Sequence, residues 1–199
     1  GEEIASFVSM AVIVPTLIGA AIAVQLCKKY DKFKIFYFSY MFALILGIVR
    51  YIAGYENMMV YVILNALGGF PLGIAAILQY QFTPDCYEYG QYKTGLKMRG
   101  VTFAAQTFFT KLNGAIATAV SVFALTLIGF KEGEGVIQAA GFADKLWTFS
   151  CLGSIIGGIG TLLILRLYKL NDHDVQLMSK CNNGEITREE AEAQMINRY

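Results

Sequence analysis

The sequence predicts an all-α, polytopic membrane protein with five crossing helices, and three observations carry that prediction. Of its 199 residues, 56% are hydrophobic and only 16% charged, and the mean hydropathy is +0.51, a balance foreign to soluble domains. Five apolar stretches recur, each long enough for a hydrocarbon core about 30 Å thick. The charges fall almost entirely between those stretches. The net charge of +1 mixes both signs, which leaves no basic stripe for nucleic acid.

The first span runs from Ile4 to Cys27 without a charge, and Pro15 at its middle predicts a kink that a membrane helix tolerates. Lys28 to Lys34, KKYDKFK, holds four lysines and reads as a tight loop. Ile35 to Ala53 is the second span, with Arg50 close enough to its far end to reach the membrane surface. After a turn at Gly54 to Asn57, the third span extends from Met58 to about Phe82, interrupted by Gly68, Gly69, Pro71 and Gly73. Such an interruption marks either a substrate cavity or ordinary helix packing, and both readings stay open. The polar stretch TPDCYEYGQYKTGLKMRG reads as a loop, and Gly100 to Phe130 is the fourth span. A turn of Lys131, Glu132, Gly133, Glu134 and Gly135 leads towards the fifth, Leu146 to Tyr168. Trp147 there suits an interface, and the Gly153 and Gly157 spacing permits close packing. The chain therefore divides into a transmembrane domain, residues 1–170, and a charged tail, residues 171–199, solvated or lying against the membrane domain. Within the tail, Thr187 and Glu190 have capping-box spacing for a short helix.

Basic residues set the expected orientation. Four lie between Lys28 and Lys34, three between Lys93 and Arg99, and five from Arg166 onward, out of sixteen. With five spans all of these share one side, the cytoplasmic one. The N-terminus is then outside and the tail inside a cell (inner) membrane. Nothing in the chain delivers that first span across the bilayer, so an upstream portion is expected. Cys27, Cys86, Cys151 and Cys181 lie far apart, without zinc or disulfide spacing, and read as free thiols. His173, within NDHD, has no triad or metal neighbours in sequence.

The fourth span is the informative one. Wound at 100° per residue, Lys111, Thr118, Thr107, Gly114, Ser121, Thr110, Gln106 and Asn113 share an arc of about 160°, and the opposite arc is apolar. Lys111 lies about 16 Å along the helix from Gly100, near the bilayer midplane and too deep to snorkel. A cation at that depth costs a few kcal/mol and faces a wet cavity or an acid. Every acidic residue from Glu2 to Glu192 lies in a loop, the tail or a span end. The counter-ion of Lys111 is therefore solvent or an acid on helices outside this chain. A reading of a different class makes Asp85 and Glu88 metal ligands of a membrane-embedded enzyme at the cytoplasmic rim. It rests on an Asp-x-x-Glu spacing alone, and a salt-bridge gate with Lys93 and Arg99 explains the same residues. A truncated membrane protein that only binds a partner is the third class.

From Asp85 the chain reads DCYEYGQYKTGLKMRG and runs into VTFAAQTFFTKLNGAIATAV. This resembles the glycoside-pentoside-hexuronide:cation symporter family of the major facilitator superfamily, which includes the melibiose permease. The shared features are Asp85, Glu88 with Tyr89, Lys93-Thr94-Gly95, Arg99-Gly100, then Gln106, Thr107 and Lys111. The resemblance implies that the five spans are the last five of a twelve-helix fold working by alternating access. It implies cation-coupled symport of a sugar or glycoside, with Gln106, Thr107 and Lys111 lining the substrate and cation cavity beside Asn113 on the same arc. Asp85, Glu88, Lys93 and Arg99 are the expected cytoplasmic gate. The coupling cation, sodium or proton, is expected mainly on a missing N-terminal half, with no other cofactor and no metal site in this chain. The expected partners are the bilayer, the sugar and that missing half. Two positions depart from the family pattern: Asp31 stands where a glycine is usual, and Ala76 where an aromatic is frequent.

Overall fold

The computed structural model describes residues 2–133 and 137–199; the expected turn residues Glu134 and Gly135 lie outside them. Among the described residues the chain forms seven helices and no strand: α1 (Glu2–Leu26), α2 (Lys32–Ala53), α3 (Met58–Thr94), α4 (Arg99–Leu127), α5 (Phe142–Leu165), α6 (Asp172–Asn182) and α7 (Arg188–Gln194). The first five are long and apolar enough to cross a membrane. Their outward faces carry large apolar side chains such as Phe7, Leu17, Ile52 and Phe123, as lipid contact requires.

The glycine-rich stretch does not break α3. A Cβ on Gly69 would lie 2.5 Å from the Val12 carbonyl oxygen, while one on Gly73 would collide with the Thr16 carbonyl and one on Gly19 with that of Phe70. These residues let the backbones of α1 and α3 approach closely, which favours the packing reading of the interruption. Gly68 faces open space. The α2–α5 contact is tight at Gly158, where a Cβ would meet the Leu44 side chain at 3.2 Å, rather than at the expected Gly153 and Gly157.

A buried cluster of Ala23, Ile35, Phe36, Ile74, Ala75 and Leu78 joins α1, α2 and α3. Phe82 continues it, with its ring 5.0 Å from Phe36 and 5.2 Å from Tyr168. By contrast α4 touches α3 only briefly and buries only Ala124 among its described residues.

The stretch after Phe82 corrects the expected loop. It continues α3 through Pro84 to Thr94 and ends at Gly95, whose left-handed φ of 73° closes the helix on the Gln91 carbonyl. At 37 residues, α3 is about 55 Å long, well beyond a hydrocarbon core of about 30 Å. The overhang is helical because the tail covers it: α6 packs along α3, leaving Asp85 4%, Gln91 8% and Tyr92 7% exposed. The tail is thus docked rather than solvated. The Thr187 and Glu190 capping box forms as the sequence predicts.

Candidate functional site

Two polar assemblies occupy different levels of the fold. The first is the face of α4. Gln106, Thr110 and Asn113, with Phe109, Leu112 and Ile116, form one wall of an open cleft of about 530 Å³ whose other wall is Gln79, Tyr80 and Thr83 of α3. Thr110 donates to the Gln106 carbonyl at 2.8 Å, keeping its oxygen lone pairs available as acceptors. Of the four expected substrate residues, Gln106 and Asn113 line this cleft, whereas Lys111 and Thr107 do not. The helix explains the split: Lys111 lies about 140° from Gln106 and about 160° from Asn113 around the axis. Lys111 is exposed and makes no ion pair with a described residue. Thr107 is exposed too, donating to the Phe103 carbonyl at 3.0 Å. The α3 wall was missed by a reading centred on α4. Gln79 and Thr83 are four residues apart and share one face only because α3 continues as a helix beyond Phe82.

The second assembly lies where α2, α3 and the tail meet. Lys32 Nζ is 2.7 Å from Asp85 Oδ1 and 3.1 Å from Asp172 Oδ1, and Tyr168 donates its hydroxyl to Asp85 Oδ2 at 3.3 Å. Burial, then the Asp85 carboxylate beside it, raise the Tyr168 phenol well above its ordinary value. Asp31 and Asp172 clasp reciprocally: Asp31 accepts the Asp172 backbone N–H at 2.8 Å, and Asp172 accepts that of Lys32 at 2.8 Å. Asp31 also caps α2 through the Phe33 N–H. The glycine usual in the resembled family has no side chain to do either.

The four expected gate residues do not come together. Asp85 takes Lys32 as its cation, Glu88 accepts from the Asn182 amide at 2.8 Å, and neither Lys93 nor Arg99 makes an ion pair with a described residue. Arg99 lies over the rings of Tyr87 and Phe103 at 6.0 and 5.8 Å. In α6, Asp174 is fully buried and accepts from the backbone N–H groups of Ile196 and Asn197, the Asn171 amide and the Tyr199 hydroxyl. Burial pushes its carboxyl up, and those donors more than offset it, so it stays below the ordinary value. His173, largely exposed, lies 3.2 Å from Asp174 Oδ1. Lys32 and Tyr168 thus engage one oxygen each of Asp85.

At the opposite end of the bundle, Arg50 is half-buried in the last turn of α2. It turns sideways, donating from Nη1 to Asn65 Oδ1 at 3.0 Å and stacking on Trp147 at 5.4 Å.

A model of sugar transport proteins of the major facilitator type, described as MFS/sugar transport protein, matches residues 2–172. Among curated relatives, a protein of Escherichia coli K12 provisionally named a sulfoquinovose importer is 25% identical over 89% of this chain and 38% of its own length. A provisionally named glycoside/cation symporter of the same organism, YagG, is 22% identical over 83% of this chain and 36% of its own. The inner membrane symporter YicJ, also from that strain, is 21% identical over 82% and 35%. The chain thus spans little more than a third of the length of these relatives. No solved structure matches it. The family match and the transporter names of the relatives both point to transport rather than catalysis. With 171 of its residues inside that match, this chain belongs to the MFS/sugar transport protein family.

Proposed function

We propose that the chain forms part of a cation-coupled symporter for a sugar or glycoside, and that the α3–α4 cleft is one wall of its solute path. The cleft itself carries the reading. The amides Gln79, Gln106 and Asn113 and the hydroxyls Thr83 and Thr110 supply donors and acceptors for a polyhydroxylated solute. Tyr80 supplies an aromatic face one turn along α3 from Ala76, the position where an aromatic is frequent in the resembled family. The names of the relatives, a glycoside/cation symporter and a sulfoquinovose importer, support a glycoside or an acidic sugar.

Lys111 and Thr107 face away from this cleft. We assign them to a coupling site completed by a carboxylate of an N-terminal half, which relatives more than twice as long would contain. Lys111 would hold that carboxylate while the sodium or proton site is empty, which links ion occupancy to sugar binding. The N-terminus is assigned to the outside of the inner membrane and the tail to the cytoplasm. Asp85 and Glu88 are assigned to a cytoplasmic gate with Lys93 and Arg99, in which Lys32 and Asn182 take part as immediate partners.

The test is sugar binding by the complete transporter with and without its coupling ion. Replacing Lys111→Leu should preserve insertion and abolish the enhancement of sugar affinity by the ion. An enhancement equal to that of the wild type would remove Lys111 from coupling. The 199-residue chain alone should give no gradient-driven uptake in liposomes; uptake by it would overturn the need for a further half.

A further inference from the structure

A cavity of about 270 Å³ runs between α2, α3 and α5 from mid-bundle to Arg50 near the end away from the tail, and its lining includes Tyr40, Arg50, Asn65, Cys151, Ser154 and Thr161 but no aspartate or glutamate. A guanidinium carries a full charge at any relevant pH and five fixed N–H donors. Here those donors find neutral or weak acceptors. Nη1 meets Asn65 Oδ1 at 3.0 Å, an amide oriented by its own Nδ2–H bond to the Tyr61 carbonyl. Nη2 reaches only the Cys151 sulfur, at 3.8 Å. Nε is buried and has no partner, and the same holds for Nε1 of Trp147, whose ring the guanidinium covers. Arg50 makes no ion pair with a described residue.

Arg50 is half-buried with its Nε shut away from water, a costly state for a cation without a counter-charge, and the guanidinium edge formed by Nε and Nη2 can grip an anion bidentately. We propose that this cavity is a binding site for a compact monovalent anion, held by Arg50 on that edge. The site is separate from the α3–α4 cleft, whose lining shares no residue with it, and it does not depend on which solute the cleft takes. The shared ligand chemistry is one negative charge in a small volume; a halide and the acid group of a small organic anion both present it.

The chain contains one tryptophan, Trp147, stacked against Arg50, so its emission reports on the site. The full 199-residue chain in nanodiscs is titrated with sodium chloride against sodium gluconate at constant ionic strength, and in a second arm with sodium methanesulfonate. A saturable change in Trp147 emission is expected with chloride, and its presence or absence with methanesulfonate tells a halide site from one that accepts an organic acid group. Arg50→Gln should abolish the change, and Arg50→Lys should weaken it at least tenfold, because an ammonium cannot offer the two-donor edge. Ser154→Leu fills the cavity while retaining the charge, and it should also abolish the response, which keeps the test decisive if Arg50→Gln does not fold. A change that never saturates with either anion, or one that persists unaltered in Ser154→Leu, means a water-filled packing cavity and overturns the proposal.

Discussion

Lys32 Nζ lies 2.7 Å from Asp85 Oδ1, joining the first residue of α2 to the part of α3 that overhangs the membrane. The two side chains are 16% and 5% exposed, so the pair is shielded from water and sensitive to the loss of one partner. Replacing Lys32→Met should destabilise the protein by about 3–5 kcal/mol, the usual cost of stranding a buried charge. The double variant Lys32→Met with Asp85→Leu should recover part of that loss. Thermal unfolding in detergent measures both, and strictly additive losses would show that the pair is not coupled.

Asp31 serves two helices at once, through the Phe33 N–H of α2 and the Asp172 N–H of α6. Asp31→Ala should cost about 1–2 kcal/mol as a lost cap. It should also loosen the tail, read as faster hydrogen exchange across Asp172 to Asn182. Loss of stability with unchanged exchange in α6 would confine the role of Asp31 to α2.

The glycines of α3 separate packing from propensity. Gly73→Ala places a methyl group against the Thr16 carbonyl and should cost about 1–3 kcal/mol or more through overpacking. Gly68→Ala meets nothing within 4 Å and should be neutral or stabilising by up to about 1 kcal/mol, the helix preference of alanine over glycine. Comparing their unfolding temperatures is sufficient; equal effects would place the α1–α3 contact elsewhere.

Asp174 links tail docking to pH. Its folded-state value lies below the ordinary carboxylate value of 3.8, so its stabilising contribution is complete above that value and is lost as pH falls through the depressed folded value. Limited proteolysis of the tail should therefore be unchanged from neutral pH down to about pH 5 and accelerate in strong acid. Asp174→Ala should expose the tail already at neutral pH. A tail released between pH 7 and 6 would implicate a group other than Asp174.

In the complete transporter, Gln106→Ala or Gln79→Ala should weaken sugar binding about tenfold each, the equivalent of one hydrogen bond of about 1.4 kcal/mol. Equilibrium binding of labelled sugar tests this. Unchanged affinity in both variants would take the α3–α4 cleft out of the solute path.

The sequence by itself determined the number of spans, their approximate limits and the amphipathic face of α4, because apolar length and a 3.6-residue period are local properties. The capping box at Thr187 and Glu190 was legible for the same reason. Only the tertiary structure decided which polar residues meet. Asp85 has Lys93 and Arg99 nearby in sequence, yet it pairs with Lys32, 53 residues away, because the start of α2 packs beside the overhang of α3. That overhang looked like a loop since Pro84, Gly90 and its charges disfavour a helix in isolation, and the burial supplied by α6 outweighs them. The partners of Arg50 were likewise not legible: Asn65 and Trp147, contributed by two other helices, meet its guanidinium. Pairings between distant segments depend on how helices pack against one another, and a period along one helix carries no information about its neighbour.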